Sequence, residues 1–258
     1  MPQQNARKSL RNGRAELPEL RKTRKVKKKP ERLAIRTPRR SRPWIVEFRS
    51  VLRAEIANCL THGIGAGLAI AGLIVLVALS PPGDFWRVFS FSVYGTCMIL
   101  LYLASMLCHS FPDPKVKRLF RVLDHSAIFL AIAGSYTPFT LVTMRGPWGW
   151  TLFGLIWTFA ILGIVFKVYF VNKFRLLSVL IYVAMGWLAL IAIKPLWESV
   201  PQGGLVLVLA GGLAYTVGTY FYANRKMPMS HMVWHMFVLV GSICHYFAVL
   251  MYVLPVQA

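Results

Sequence analysis

From about residue 56 onward the chain is a succession of long apolar runs separated by short polar breaks. Seven runs can be drawn, near 56–79, 87–110, 120–143, 148–170, 175–194, 204–222 and 231–254. Each approximates the roughly 20 residues a helix needs to cross a hydrocarbon core. The breaks carry proline, glycine and charge: SPPGD at 80–84, FPDPKVKR at 111–118, RGPW at 145–148, NKFR at 172–175, KPLWESVPQGG at 194–204 and ANRKMP at 223–228. The pattern predicts an all-α bundle of seven transmembrane helices, and so an integral, multi-pass membrane protein.

Composition agrees once the charge is mapped. The 258 residues are 56% hydrophobic with mean hydropathy +0.54, more apolar than a soluble domain of this length. The formal charge of +21 is concentrated at one end, since 18 of the 30 lysines and arginines fall in residues 1–53. That segment holds RKTRKVKKK at 21–29, with Pro18, Pro30, Pro38 and Pro43 scattered through it. The expectation is a disordered basic cytoplasmic tail over 1–53, lying against anionic lipid headgroups, and a seven-transmembrane domain over 54–258. No specific nucleic-acid partner is expected, because no aromatic-interleaved RNA-binding motif is present. The acidic residues Glu16, Glu19, Glu31 and Glu47 argue against a transit peptide, and the late first apolar run argues against a cleavable signal. Cys59, Cys97, Cys108 and Cys244 all lie in or beside apolar runs, which excludes a secreted disulfide framework.

Orientation follows from the loops. Alternating breaks place Lys115, Lys117, Arg118, Arg121, Lys167, Lys173, Arg175, Arg225 and Lys226 on one side. Arg87, Arg145 and Lys194 fall on the other. The richer side, which also carries the tail, is expected in the cytoplasm, with the C-terminus outside. Trp86, Trp148, Trp150 and Trp197 then cluster at the outer boundary as an aromatic belt.

This topology gathers polar residues from distant runs at one depth. Ser105 and His109 end the second run, Asp124 opens the third, and His231 and His235 open the seventh. Glu55, Asn58 and His62 enter at the same level from the first. Residues four apart share a helix face, and ionisable groups inside a membrane usually face the protein interior or a wet cavity. Three neutral imidazoles suit tetrahedral Zn²⁺ with a position left for water, whose pKa the ion lowers towards about 7. His109, His231 and His235 are the expected ligands. Asp124 is the candidate general base and Ser105 the candidate hydrogen-bond donor to the water or a developing oxyanion. Simpler readings stand beside these. Asp124 also suits a helix N-terminus, Ser105 can bond back to a helix carbonyl, and paired histidines can be merely hydrogen-bonded. Glu55, Asn58 and His62 are expected to support the ligands from behind or to join helices, with a lipid headgroup contact as the alternative.

The same motifs carry a family resemblance. Ser-x-x-x-His, Leu-Asp-x-Ser and His-x-x-x-His, in that order, resemble the progestin and adipoQ receptor family. EIANCLTHGIGAG at 55–67 and GSYTPF at 134–139 are most similar to its microbial, hemolysin III-type branch. The resemblance covers about 54–254. It implies zinc on His109, His231 and His235, contact of Asp124 with the zinc-bound water, and Ser105 beside it. It also implies ceramidase-like hydrolysis, with membrane lipids as substrate or ligand.

Three functions follow: a zinc-dependent hydrolase of a lipid amide or ester, a receptor or regulator whose zinc is structural, and a hemolysin III-like cytolysin. His125, about 100° round the helix from Asp124, is expected to be structural. His245, ten residues past His235, is too far for the same ion and is expected to bond a buried partner or line a substrate or proton path.

Overall fold

The computed structural model describes residues 43–255, apart from 172, 225, 226 and 228, with side chains from 48 onward. Those residues form α1 (Pro43–Ala78), α2 (Phe85–Ser110), α3 (Pro114–Pro138), α4 (Pro147–Phe170), α5 (Arg175–Gly186), α6 (Ile193–Ser199), α7 (Gln202–Ala223) and α8 (Ser230–Tyr252). A π-helical turn, Phe139–Thr143, extends α3, and a 3₁₀ turn, Leu188–Ala192, joins α5 to α6. Together they make seven spans long and apolar enough to cross a bilayer, the fifth being α5, the 3₁₀ turn and α6 in series. The expected all-α seven-span bundle is therefore the observed one.

Local chemistry sets the helix ends. Asp84 caps α2 by accepting the Arg87 N–H at 3.0 Å. Asp113 caps α3 by accepting the N–H groups of Lys115 and Val116, both at 2.9 Å, with Pro114 in the first turn. The third helix thus starts six residues before the predicted 120, because Asp-Pro at 113–114 opens a helix rather than breaking one. A second correction concerns the tail: its last part, 43–53, is helical. The stretch after Pro43 contains no further proline and is rich in residues that helices accept. Residues 1–42, the rest of the predicted tail, lie outside those described.

The fifth run is not the single predicted helix over 175–194. It breaks after Gly186 and ends at Ser199. Unpaired backbone groups inside a bilayer need partners from the protein, and Tyr136 supplies one here. Its hydroxyl lies 3.0 and 2.8 Å from the carbonyls of Met185 and Gly186 and accepts the Ala189 N–H at 3.0 Å.

α3 is the most enclosed span. On one side its residues join a cluster with α1, α2 and α8; on the other, Phe129 and Ala133 pack on Ile156 and Ala160 of α4 and Tyr182 of α5. The large apolar residues that α1 leaves exposed, such as Leu60, Ile64, Leu68 and Ile74, face where lipid would be. In water they would be an unexplained patch. The outcome for function is that the starts of α3 and α8 and the 55–62 stretch of α1 meet the end of α2.

Candidate metal centre

α8 begins at Ser230, so His231 and His235 stand one turn apart at its first and second turns. α2 ends at Ser110, which puts His109 on its last turn. Nε2 of His231 lies 3.2 Å from Nε2 of His109 and 3.2 Å from Nε2 of His235. Possible ligand atoms of the three histidines all fall within 4.8 Å of one another. Bonds of about 2.0–2.1 Å at tetrahedral angles would separate ligand nitrogens by about 3.3 Å, so the spacing fits one small ion.

The opposite ring nitrogens decide which way the lone pairs point. His109 Nδ1 is 2.7 Å from Glu55 Oε2. A carboxylate only accepts, so Nδ1 carries the proton and Nε2 is bare. His235 Nδ1 is 3.3 Å from the Asn58 carbonyl and 3.2 Å from Thr61 Oγ1. The Thr61 hydroxyl proton is directed to its own helix, where the Ala57 and Asn58 carbonyls lie 2.9 Å away. Again Nδ1 donates and Nε2 is bare. Two lone pairs therefore face His231 Nε2, and a single N–H there can satisfy at most one of them. A shared cation satisfies all three. This arrangement of acceptors behind imidazoles is the usual way a protein fixes the tautomer of metal-binding histidines.

The other expected residues are placed as follows. Glu55 also reaches Lys117 Nζ at 2.6 Å, so one carboxylate ties α1 to the end of α2 and the start of α3. Asn58 contacts His235 through its backbone, whereas its side-chain Oδ1 is buried without a partner among the described residues. His62 stacks on His235, ring centroids 3.6 Å apart, and meets Tyr102 edge-on at 5.1 Å. Both His62 nitrogens are buried and have no hydrogen-bond partner among the described residues. Ser105 is buried. Ser105, Asp124, His62, His231 and His235 all line one cavity of about 110 Å³, which continues between α3, α5, α7 and α8 to Trp187 and His245.

Sequence reading missed several contacts. His125 lines the same cavity, with Nδ1 3.1 Å from Asp124 Oδ2 and Nε2 3.1 Å from the Tyr222 hydroxyl. Arg175 lies over the Tyr222 ring, 4.3 Å from its centroid. Adjacency on the helix does turn His125 from the histidine cluster, but it brings its ring to the carboxylate beside it. Lys117 gave no signal, because nothing in its spacing links it to Glu55. Thr61 was findable, since it lies on the turn between Asn58 and His62.

Comparison with known proteins is consistent with this architecture. The model of the Haemolysin-III related family matches residues 51–246. Hemolysin-3 of Bacillus cereus is 54% identical over 205 residues, covering 79% of this chain and 94% of that protein. The Hemolysin-3 homolog of Bacillus subtilis (strain 168) is 46% identical, covering 80% and 97%. More distantly, the Monocyte to macrophage differentiation factor of Homo sapiens is 28% identical, covering 80% and 87%. The resemblance read from the motifs is borne out: the chain belongs to the haemolysin-III related family and is an integral, multi-pass membrane protein.

Proposed function

We propose that the protein is a zinc-dependent hydrolase of a lipid amide or ester, with its site near the cytoplasmic face of the membrane. The observation that carries this reading is the convergence of three imidazole nitrogens beside a largely apolar cavity whose wall also holds a carboxylate and a hydroxyl. Zinc held by His109, His231 and His235 supplies a Lewis acid and a water acidic enough to ionise near neutral pH. Glu55 and the Asn58–Thr61 turn keep the His109 and His235 rings aimed. Asp124 takes the proton of the attacking water on its carboxylate, and the Ser105 hydroxyl donates to the oxygen that gains charge. The cavity beyond Ile128 excludes water from the acyl chain.

This chemistry puts the scissile bond at the histidines and the chain along α7 and α8. A receptor with purely structural zinc would not need the carboxylate and hydroxyl on the cavity wall. A cytolytic pore needs a continuous polar path, and the lining past Ile128 is largely apolar, with Val183 and Trp187 among it.

The test is release of fatty acid from long-chain lipid amides and esters by purified, zinc-loaded protein in lipid. Turnover is expected for the wild type and should fall at least a hundredfold in Asp124→Asn. Equal rates in the two, or none in the wild type across both lipid classes, would overturn the reading.

A further inference from the structure

Among the residues that line the far end of the cavity, His245 carries a ring nitrogen with no partner among the described residues. His245 sits on α8 ten residues beyond His235, about 15 Å along the axis. Its Nε2 lies 3.3 Å from the Val208 carbonyl. A carbonyl accepts, so Nε2 carries the proton and Nδ1 is a bare acceptor. That Nδ1 is buried with no hydrogen-bond partner among the described residues.

The neighbouring polar groups are all engaged. The Tyr215 hydroxyl pairs with Ser242 at 2.9 Å, and the Trp187 indole N–H donates to Thr216 Oγ1 at 3.0 Å. Thr216 in turn donates to the Gly212 carbonyl at 2.7 Å. The ring's place is also made for it. A Cβ on Gly211 would stand 2.3 Å from His245 Cδ2, so only glycine lets the imidazole lie against α7. Tyr215 meets the ring edge-on, 5.4 Å between centroids. A buried acceptor left bare is costly, and an ionisable residue at this depth in a membrane protein is a functional position by default.

We propose that His245 Nδ1 is a second polar anchor of the lipid site, accepting a hydrogen bond from a hydroxyl near the middle of the bound chain. The ligand class is a long-chain lipid whose polar end lies at the histidines and whose chain carries a hydroxyl about 15 Å away. The inference rests on the reading that a lipid chain fills this cavity, but not on its hydrolysis.

The experiment compares three eighteen-carbon fatty acids as ligands of purified zinc-loaded protein, read by the rise in unfolding temperature with concentration. One is unsubstituted, one has its hydroxyl at mid-chain, and one has it next to the carboxylate. The mid-chain hydroxyl is expected to bind about threefold to tenfold more tightly than either control, the yield of one hydrogen bond. His245→Leu should abolish that preference while leaving affinity for the unsubstituted acid and zinc content unchanged. His245→Gln, which keeps a donor and an acceptor, should restore part of it. Should His245→Leu fail to fold, the wild-type comparison of the two hydroxyl positions decides alone. Equal binding of all three acids, or a preference that survives His245→Leu, overturns the anchor and leaves the hydrolase reading intact. No binding of any acid overturns both the anchor and the lipid-filled cavity. A preference without any hydrolysis supports the anchor and removes the enzyme.

Discussion

Glu55 holds His109 from behind: its Oε2 is 2.7 Å from Nδ1, leaving Nε2 free to face His231 and His235. The carboxylate's other oxygen is fixed by Lys117 at 2.6 Å, so the ring's support comes from two helices besides its own. Replacing Glu55 by Gln keeps the shape but removes the charge and lets the amide present a donor to His109. Zinc affinity is expected to fall about tenfold to a hundredfold. Competition with a chromophoric chelator measures it, and an unchanged affinity would remove Glu55 from the account.

The packing of α3 on α4 depends on Gly163. A Cβ there would approach the fully buried Phe129 ring to 2.2 Å. Gly163→Ala should therefore destabilise the bundle by about 1–3 kcal/mol, the usual range for overpacking. The histidine cluster lies on other helices, so zinc per folded molecule should not change. A thermal unfolding series with metal analysis reads both quantities; an unaltered midpoint would contradict the close contact.

At the edge of the second span, Asp84 before α2 and Arg87 in its first turn link the start of α2 to the residues that follow α8. Arg87 pairs with Asp84 and donates to the carbonyls of Leu254 at 3.1 Å and Pro255 at 3.2 Å. Partial burial pushes the Asp84 carboxyl up, but the Arg87 N–H and guanidinium outweigh it and hold the group below its ordinary 3.8. A depressed carboxyl stabilises the fold above its ordinary value, and that contribution is lost as pH falls through the lower, folded value. Asp84→Asn keeps the helix cap and removes only the charge. The wild type should unfold slightly higher than Asp84→Asn at neutral pH, and the gap should close as pH falls through the lowered, folded value. A gap that is constant with pH would refute the assignment.

The charge asymmetry of the loops predicts the orientation. A single cysteine introduced after Pro255 in a variant lacking the native four should react with a membrane-impermeant maleimide on intact cells. One placed in the loop near Lys115 should not. The reverse pattern would put the histidine cluster at the outer face.

How much of this was readable beforehand differs by level. Period and length carried the seven spans, because a bilayer imposes one length on every helix. The histidine cluster was readable because His231 and His235 share a helix turn, and alternation of spans brings the end of α2 to the same depth. Helix starts at Pro43 and Pro114 were not, since a proline and an acidic residue serve equally as breaker and as cap. The interruption at Gly186 was hidden because its partner is the Tyr136 hydroxyl, fifty residues away. The stacking of His62 on His235, the Lys117–Glu55 pair and the contact of Tyr222 with His125 are tertiary, and no local spacing encodes them.

The three-histidine centre stands or falls on the metal content of protein purified without chelators, wild type beside His235→Ala and Asp124→Asn. Near-stoichiometric zinc is expected in the wild type, lost in His235→Ala and retained in Asp124→Asn. Folded wild-type protein without metal, or zinc that persists in His235→Ala, would contradict it.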